Sequence, residues 1–103
     1  MRGFDDLFLE TIEDILKWVL GEAPAKIVLQ RMKKVGSLKS KRVEVLEDAL
    51  QKILGQGAGL IIEDLILRSL YSRLELKFER IQGYTFSDYV KELRRKCGQL
   101  ADS

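Results

Sequence analysis

Ala58-Gly59-Leu60-Ile61-Ile62-Glu63-Asp64-Leu65-Ile66-Leu67-Arg68-Ser69-Leu70-Tyr71-Ser72-Arg73-Leu74 is the stretch whose reading decides the fold. Its apolar residues fall at 60, 61, 62, 65, 66, 67, 70, 71 and 74, the steps of three and four that belong to a helix. Glu63, Asp64, Arg68 and Ser72 leave only a narrow polar strip. A helix apolar most of the way round is a buried one. The spacing therefore predicts a central helix over about 58–74, around which the rest of the chain packs.

The flanking segments carry the same period with a clearer polar face. Upstream, Val43, Leu46, Ala49, Leu50 and Ile53 mark a helix at about 42–54, with Gly55 fitted to a left-handed cap. Phe8, Ile12, Ile15, Leu16 and Val19 mark a first helix at about 5–20, which Gly21 stops. Pro24 suits the first turn of a second helix, whose stripe is Ala25, Val28, Leu29, Met32 and Val35. A polar loop from Ser37 to Lys41 follows.

Downstream, Leu76, Phe78 and Ile81 alternate with charged residues, so 75–84 reads as an extended connector or one arm of a short hairpin. Thr85 with Asp88 three residues later is a capping-box start for a last helix ending near Cys97-Gly98, its inner face Phe86, Tyr89, Val90 and Leu93. No internal repeat is evident. The expectation is an all-α fold: one domain over 1–103, a bundle of four to five helices around the buried central one.

Composition narrows the chemistry. The 103 residues suffice for one core and not for two. There is no histidine, so Ser–His–Asp and Cys–His catalysis and histidine-bearing zinc sites are excluded. A single cysteine, Cys97, makes no internal disulfide. It stands near Arg94, Arg95 and Lys96, whose charge favours the thiolate, yet it has no acid–base partner and reads as inert. No apolar run approaches the roughly 20 residues of a membrane span, and the acidic N-terminal stretch does not resemble a signal peptide. These features point to a cytoplasmic protein, and the absence of asparagine leans toward a thermophilic source.

The net charge of +2 conceals a pattern. Residues 1–22 sum to −4, residues 23–42 to +7, residues 43–66 to −4 and residues 67–103 to +3. The basic block consists of Lys26, Arg31, Lys33, Lys34, Lys39, Lys41 and Arg42, with no acidic residue among them. These seven are the candidate contacts for a partner. They fit an acidic protein surface, including the acidic first helix of a second copy, or a nucleic-acid backbone. The nucleic-acid reading lacks aromatics for stacking and a recognition helix, because the next helix turns acidic at Glu44, Glu47 and Asp48. Equally, the block suits a solvated helix end whose lysines complement the helix dipole.

Other conspicuous residues have structural readings. Gly55, Gly57 and Gly59 precede no Lys-Ser or Lys-Thr and follow a helix, which does not suit a phosphate-binding loop; tight backbone packing does. Glu63 and Asp64 diverge by about 100° on a helix and do not converge on one point; either pairs with Arg68. Trp18 lies off the main stripe of the first helix and is the candidate interface aromatic.

Between Ile53 and Leu93 the chain resembles the mostly archaeal fifth Nitrosopumilus output domain family. The resemblance is carried by Gly55-Gln56-Gly57-Ala58, the apolar helix with Glu63, the Leu70-Tyr71 pair, and Gly83-Tyr84-Thr85-Phe86-Ser87-Asp88-Tyr89-Val90. It covers about 40 residues closely and the N-terminal helices loosely. It implies an output or interaction domain, alone or attached to signalling proteins, without established enzyme activity. Members often carry an aromatic or histidine in the second helix; Ile27-Val28-Leu29-Gln30-Arg31-Met32 has neither, so no such role carries over. The combined expectation is a non-catalytic helical module acting by protein–protein contact, as a homodimer or with another protein. Nucleic acid is the alternative partner. No cofactor, metal or membrane enters this reading.

Overall fold

The computed structural model describes residues 3–34, 36 and 42–101, with side chains described as far as 97. Five helices follow in order: α1 (Phe4–Leu20), α2 (Glu22–Lys34), α3 (Val43–Leu54), α4 (Gln56–Arg73) and α5 (Phe86–Ala101). The all-α expectation holds, and no strand occurs among the described residues. α4 is central, packing on α1, α3 and α5. One apolar core unites Phe8, Ile12 and Leu16 of α1 with Leu46 and Leu50 of α3, Ile62, Ile66 and Leu70 of α4, and Val90 and Leu93 of α5. The radius of gyration, 13.2 Å, is that of a compact chain of about 100 residues with one core.

The central helix is less completely covered than its composition implies. Ile62, Ile66, Leu67, Leu70 and Tyr71 are buried, but Leu60 and Ile61 are 53% and 62% exposed.

The two corners share one conformation. Gly21 (φ 89°, ψ 166°) and Gly55 (φ 88°, ψ 156°) both adopt a region open essentially only to glycine, and not the left-handed cap expected at Gly55. That geometry turns the chain between helices with one intervening residue. Four residues on, Ala25 N–H donates to Gly21 O at 3.1 Å and Gly59 N–H to Gly55 O at 2.8 Å.

The corners lie 34 residues apart, and the same offset brings most of the buried positions near them into correspondence, although buried Phe8 falls on exposed Arg42 and buried Leu67 on exposed Lys33. Ile12 and Leu16 correspond to Leu46 and Leu50; Ala25, Val28 and Met32 correspond to Gly59, Ile62 and Ile66. Exposed Ile27 corresponds to exposed Ile61. The chain therefore contains two like helical hairpins, α1–α2 and α3–α4, and against the expectation of no repeat the sequence carries the likeness too: Glu10, Glu13, Asp14, Leu16, Leu20 and Gly21 recur as Glu44, Glu47, Asp48, Leu50, Leu54 and Gly55. At one buried position the chemistry differs: Leu29 of the first hairpin is replaced by Glu63 in the second.

α4 ends in a Schellman arrangement, with Leu76 N–H donating to Tyr71 O and Glu75 N–H to Ser72 O. Glu75 sits at φ 57°, where glycine is usual. The segment after it is the extended connector and not a hairpin arm. Of its alternating residues only Phe78 turns inward, packing edge-on to Tyr71 at 5.1 Å and against Tyr89 at 5.5 Å. Tyr89 holds the connector a second time: its hydroxyl accepts from Ile81 N–H at 2.8 Å and donates to Ile81 O at 3.3 Å. The capping box forms as expected, Thr85 N–H donating to Asp88 at 2.9 Å and Asp88 N–H to Thr85 Oγ1 at 3.4 Å. Thr85's donated bonds hold the Asp88 carboxyl below its usual range.

Candidate functional site

An open groove of about 760 Å³ is bounded by α3, α4, the connector and the start of α5. Its floor is Glu63, which is only 3% exposed. The one hydrogen bond this carboxyl receives among the described residues is a long one, from Gln51 Nε2 at 3.4 Å. Burial pushes the Glu63 carboxyl up to about 7, assisted by the negative charge of Glu47 and opposed by the Gln51 amide. Glu63 thus changes charge near neutrality, in a chain that has no histidine to do so.

Glu47 itself is committed elsewhere. Its Oε2 accepts from both Ser87 N–H at 3.0 Å and Ser87 Oγ at 2.9 Å, fastening the start of α5 to α3. A carboxylate at a helix N-terminus also complements the macrodipole. At the opposite rim Asp64 accepts from Arg68 at 2.8 Å, as the i,i+4 spacing anticipates, and from Arg80 at 2.9 Å. Arg68 lies 5.4 Å from the Phe78 ring, so the same cluster orders the connector. Leu60, Ile61 and Tyr84, all exposed, supply the apolar lip.

Gly59 explains how α3 and α4 approach closely here. A methyl added there would stand 3.0 Å from Gln51 Cα. Gly57 shows no such constraint, having nothing within 4 Å of that position. The tight packing expected of both glycines therefore belongs to Gly59 alone.

The residues singled out in the sequence lie apart from this groove. Lys26, Arg31, Lys33 and Lys34 are exposed on α2, and Arg42 is exposed at the N-cap of α3. None of these five makes an ion pair among the described residues. Lys39 and Lys41 lie outside the described residues. Trp18 is 73% exposed near the end of α1, and Ile27 is 59% exposed on α2. Cys97 is half-buried, and burial pushes its thiol up, so its cationic neighbours do not produce a thiolate. No group of three or more Asp, Glu or Cys side chains is arranged to hold a metal ion among the described residues. Among them, too, no helix is long and apolar enough to cross a membrane.

Sequence reasoning missed Glu63 as a buried acid because α4, apolar on nearly every side, gives no direction to its polar strip. The signal was the hairpin likeness, which sets Glu63 opposite a core leucine. No family model, curated protein or solved structure matches this chain.

Proposed function

We propose that this chain is a non-catalytic helical interaction module that assembles with a second copy of itself through the outer faces of α1 and α2. The observation that carries this reading is the exposure of Trp18 and Ile27 on either side of the Gly21 corner. Large aromatic and aliphatic side chains left in water are the usual anchors of an interface. Charge supports the same pairing: the segment containing α1 sums to −4 and the segment containing α2 to +7. A two-fold contact sets acidic α1 of one copy against basic α2 of the other, with Trp18 and Ile27 between them. The likeness over 53–93 to an archaeal output domain supports a signalling role. The lone cysteine and the lack of asparagine support a cytoplasmic, thermophilic setting.

Sedimentation equilibrium tests the reading. We expect a dimer in the micromolar range that becomes monomeric in Trp18→Glu and Ile27→Glu with unchanged helical content. A wild-type monomer at high micromolar concentration rejects it.

Nucleic acid is the second reading, favoured by the exposure of Lys26, Arg31, Lys33, Lys34 and Arg42, none of which makes an ion pair among the described residues. It requires salt-dependent retention on DNA or RNA that weakens when Lys33, Lys34, Lys39 and Lys41 are neutralised.

A further inference from the structure

The groove floored by Glu63 plays no part in that assembly. A carboxyl nine-tenths buried where the other hairpin has leucine is costly to the fold, since a desolvated acid with one long hydrogen bond gains little in return. It also faces an open groove of a size typical for small-molecule sites. The charged groups around it have a definite sign. From α3 come Glu47 and the neutral Gln51 amide; from α4, Asp64; from the connector, Arg80, already bound to Asp64. Tyr84 and Tyr89 approach from the connector and α5 with their phenol rings. Lys91 of α5 is held by Glu44 and lies near enough to Glu47 to feel its charge. From α1, Asp14 is neutralised by Arg73, ten residues along α4 from Glu63. The floor is thus negative or neutral with no cation of its own, and the lip is apolar.

We propose that this groove binds a small organic cation, a primary amine carried on a short apolar chain or ring. The ammonium head sits against Glu63, and the apolar body lies against Leu60, Ile61 and Tyr84. When the head arrives, the Glu63 carboxyl releases its proton to solvent and the carboxylate–ammonium pair forms, so net charge balances. Both groups then share the desolvation that the acid alone bears in the empty groove. Anions are rejected, because Glu47 already places negative charge beside this space and the Glu63 carboxyl supplies no positive charge to offset it.

Calorimetric titration of the full chain with phenethylamine tests this, beside 3-phenylpropionate as the anionic control and a lysine-bearing peptide as the macromolecular one. We expect saturable amine binding with a Kd below about 1 mM and none of the anion. Affinity should fall roughly tenfold between pH 8 and pH 6, because Glu63 must ionise for the head to bind. Titrations in two buffers of different ionisation heat should show proton release at neutral pH, a readout that needs no variant. Glu63→Gln keeps the shape of the side chain and should lower affinity at least about tenfold while flattening its pH dependence. Trp18→Glu should bind the amine normally, which separates this site from self-association. Absence of amine binding, equal binding of the anion, binding of the peptide alone, or a Glu63→Gln variant that binds like wild type overturns the proposal.

Discussion

The two hairpins are built on one plan and differ most at one core position. Each turns on a glycine near φ 88°, buries three apolar residues of its leading helix, and buries the fourth, seventh, eighth and eleventh residues after that glycine in its trailing helix. In α1–α2 those four are Ala25, Val28, Leu29 and Met32; in α3–α4 they are Gly59, Ile62, Glu63 and Ile66. The first set is a purely apolar wedge. The second gives up a methyl group to admit Gln51 and an isobutyl group to admit an acid. The second hairpin therefore spends stability where the first collects it, and it does so beside the molecule's groove.

The comparison breaks most severely by exchanging the odd residue. Leu29→Glu places a carboxyl in the first hairpin with no Gln51 counterpart, since the residue 34 positions earlier than Gln51 is exposed Lys17. Burying that acid should cost about 3–5 kcal/mol at neutral pH, a large share of a small domain's stability, measured by chemical denaturation.

The reverse exchange, Glu63→Leu, should stabilise, and the pH profile identifies why. The carboxyl titrates near 4.5 when exposed and about 7 in the folded chain, so the native state holds the proton more tightly. Its contribution is fully present below 4.5 and is lost as pH rises through 7, a difference of about 3 kcal/mol. Subtracting the Glu63→Leu curve from wild type should isolate that slope. Asp88 slopes the other way, its lowered carboxyl losing stability on acidification, and cancels in the subtraction.

How much of this was legible in the sequence depended on whether each helix had a polar side. α1, α2, α3 and α5 announced their inner faces because charges alternated with the apolar stripe; most of the marked residues are buried or half-buried, but Val19 is 41% exposed, Val35 lies outside the described residues, and the period did not mark the buried Thr11 and Ser87. The capping box of Thr85 and Asp88 and the Asp64–Arg68 pair were equally readable, being local. α4 was read correctly as a helix and as the centre, but its apolar excess hid which side was in. Leu60 and Ile61 consequently face water and Glu63 faces inward. Phe78 packing on Tyr71 and Tyr89, Ser87 bonding to Glu47, and Arg73 reaching Asp14 join residues far apart in the chain, and no local spacing encodes such meetings. The hairpin likeness was legible in 10–21 against 44–55, where six of twelve residues are identical, but it fades in the trailing helices, where only Ile27 and Ile61 agree.

Matched substitutions at the corners sharpen the shared plan. Gly21→Ala and Gly55→Ala force the same disfavoured backbone and meet no steric neighbour closer than Pro24 Cδ at 4.0 Å from Gly21. They should cost about 1–2 kcal/mol each, and equally. Unequal losses would show that the corners only look alike. Gly59→Ala probes a difference instead: its methyl meets Gln51 Cα at 3.0 Å. Overpacking of about 1–3 kcal/mol against roughly 1 kcal/mol of recovered helix propensity leaves a net loss near 1 kcal/mol. At Ala25, where the methyl is already accommodated in the core, the reverse change to glycine should be the destabilising one.

The smallest effect on stability carries the largest consequence for assembly. Trp18 corresponds to Lys52 in the second hairpin, which is exposed and paired with Asp48 at 2.9 Å, the ordinary state of a surface helix position. Trp18 occupies the same place on the outside of α1 with an aromatic ring, and no packing within the chain accounts for it. Trp18→Lys should therefore leave folding stability within about 0.5 kcal/mol of wild type, as surface changes do. If the outer face of α1–α2 is an interface, the same substitution removes its anchor and shifts the dimer toward monomer by tenfold or more, about 1.4 kcal/mol. Lys52→Trp, the mirror change, should leave assembly unaltered, because the acidic and basic segments that would align a second copy flank the first corner and not the second. A pair of variants equal in stability and opposite in assembly would assign self-association to the first hairpin and not to the second.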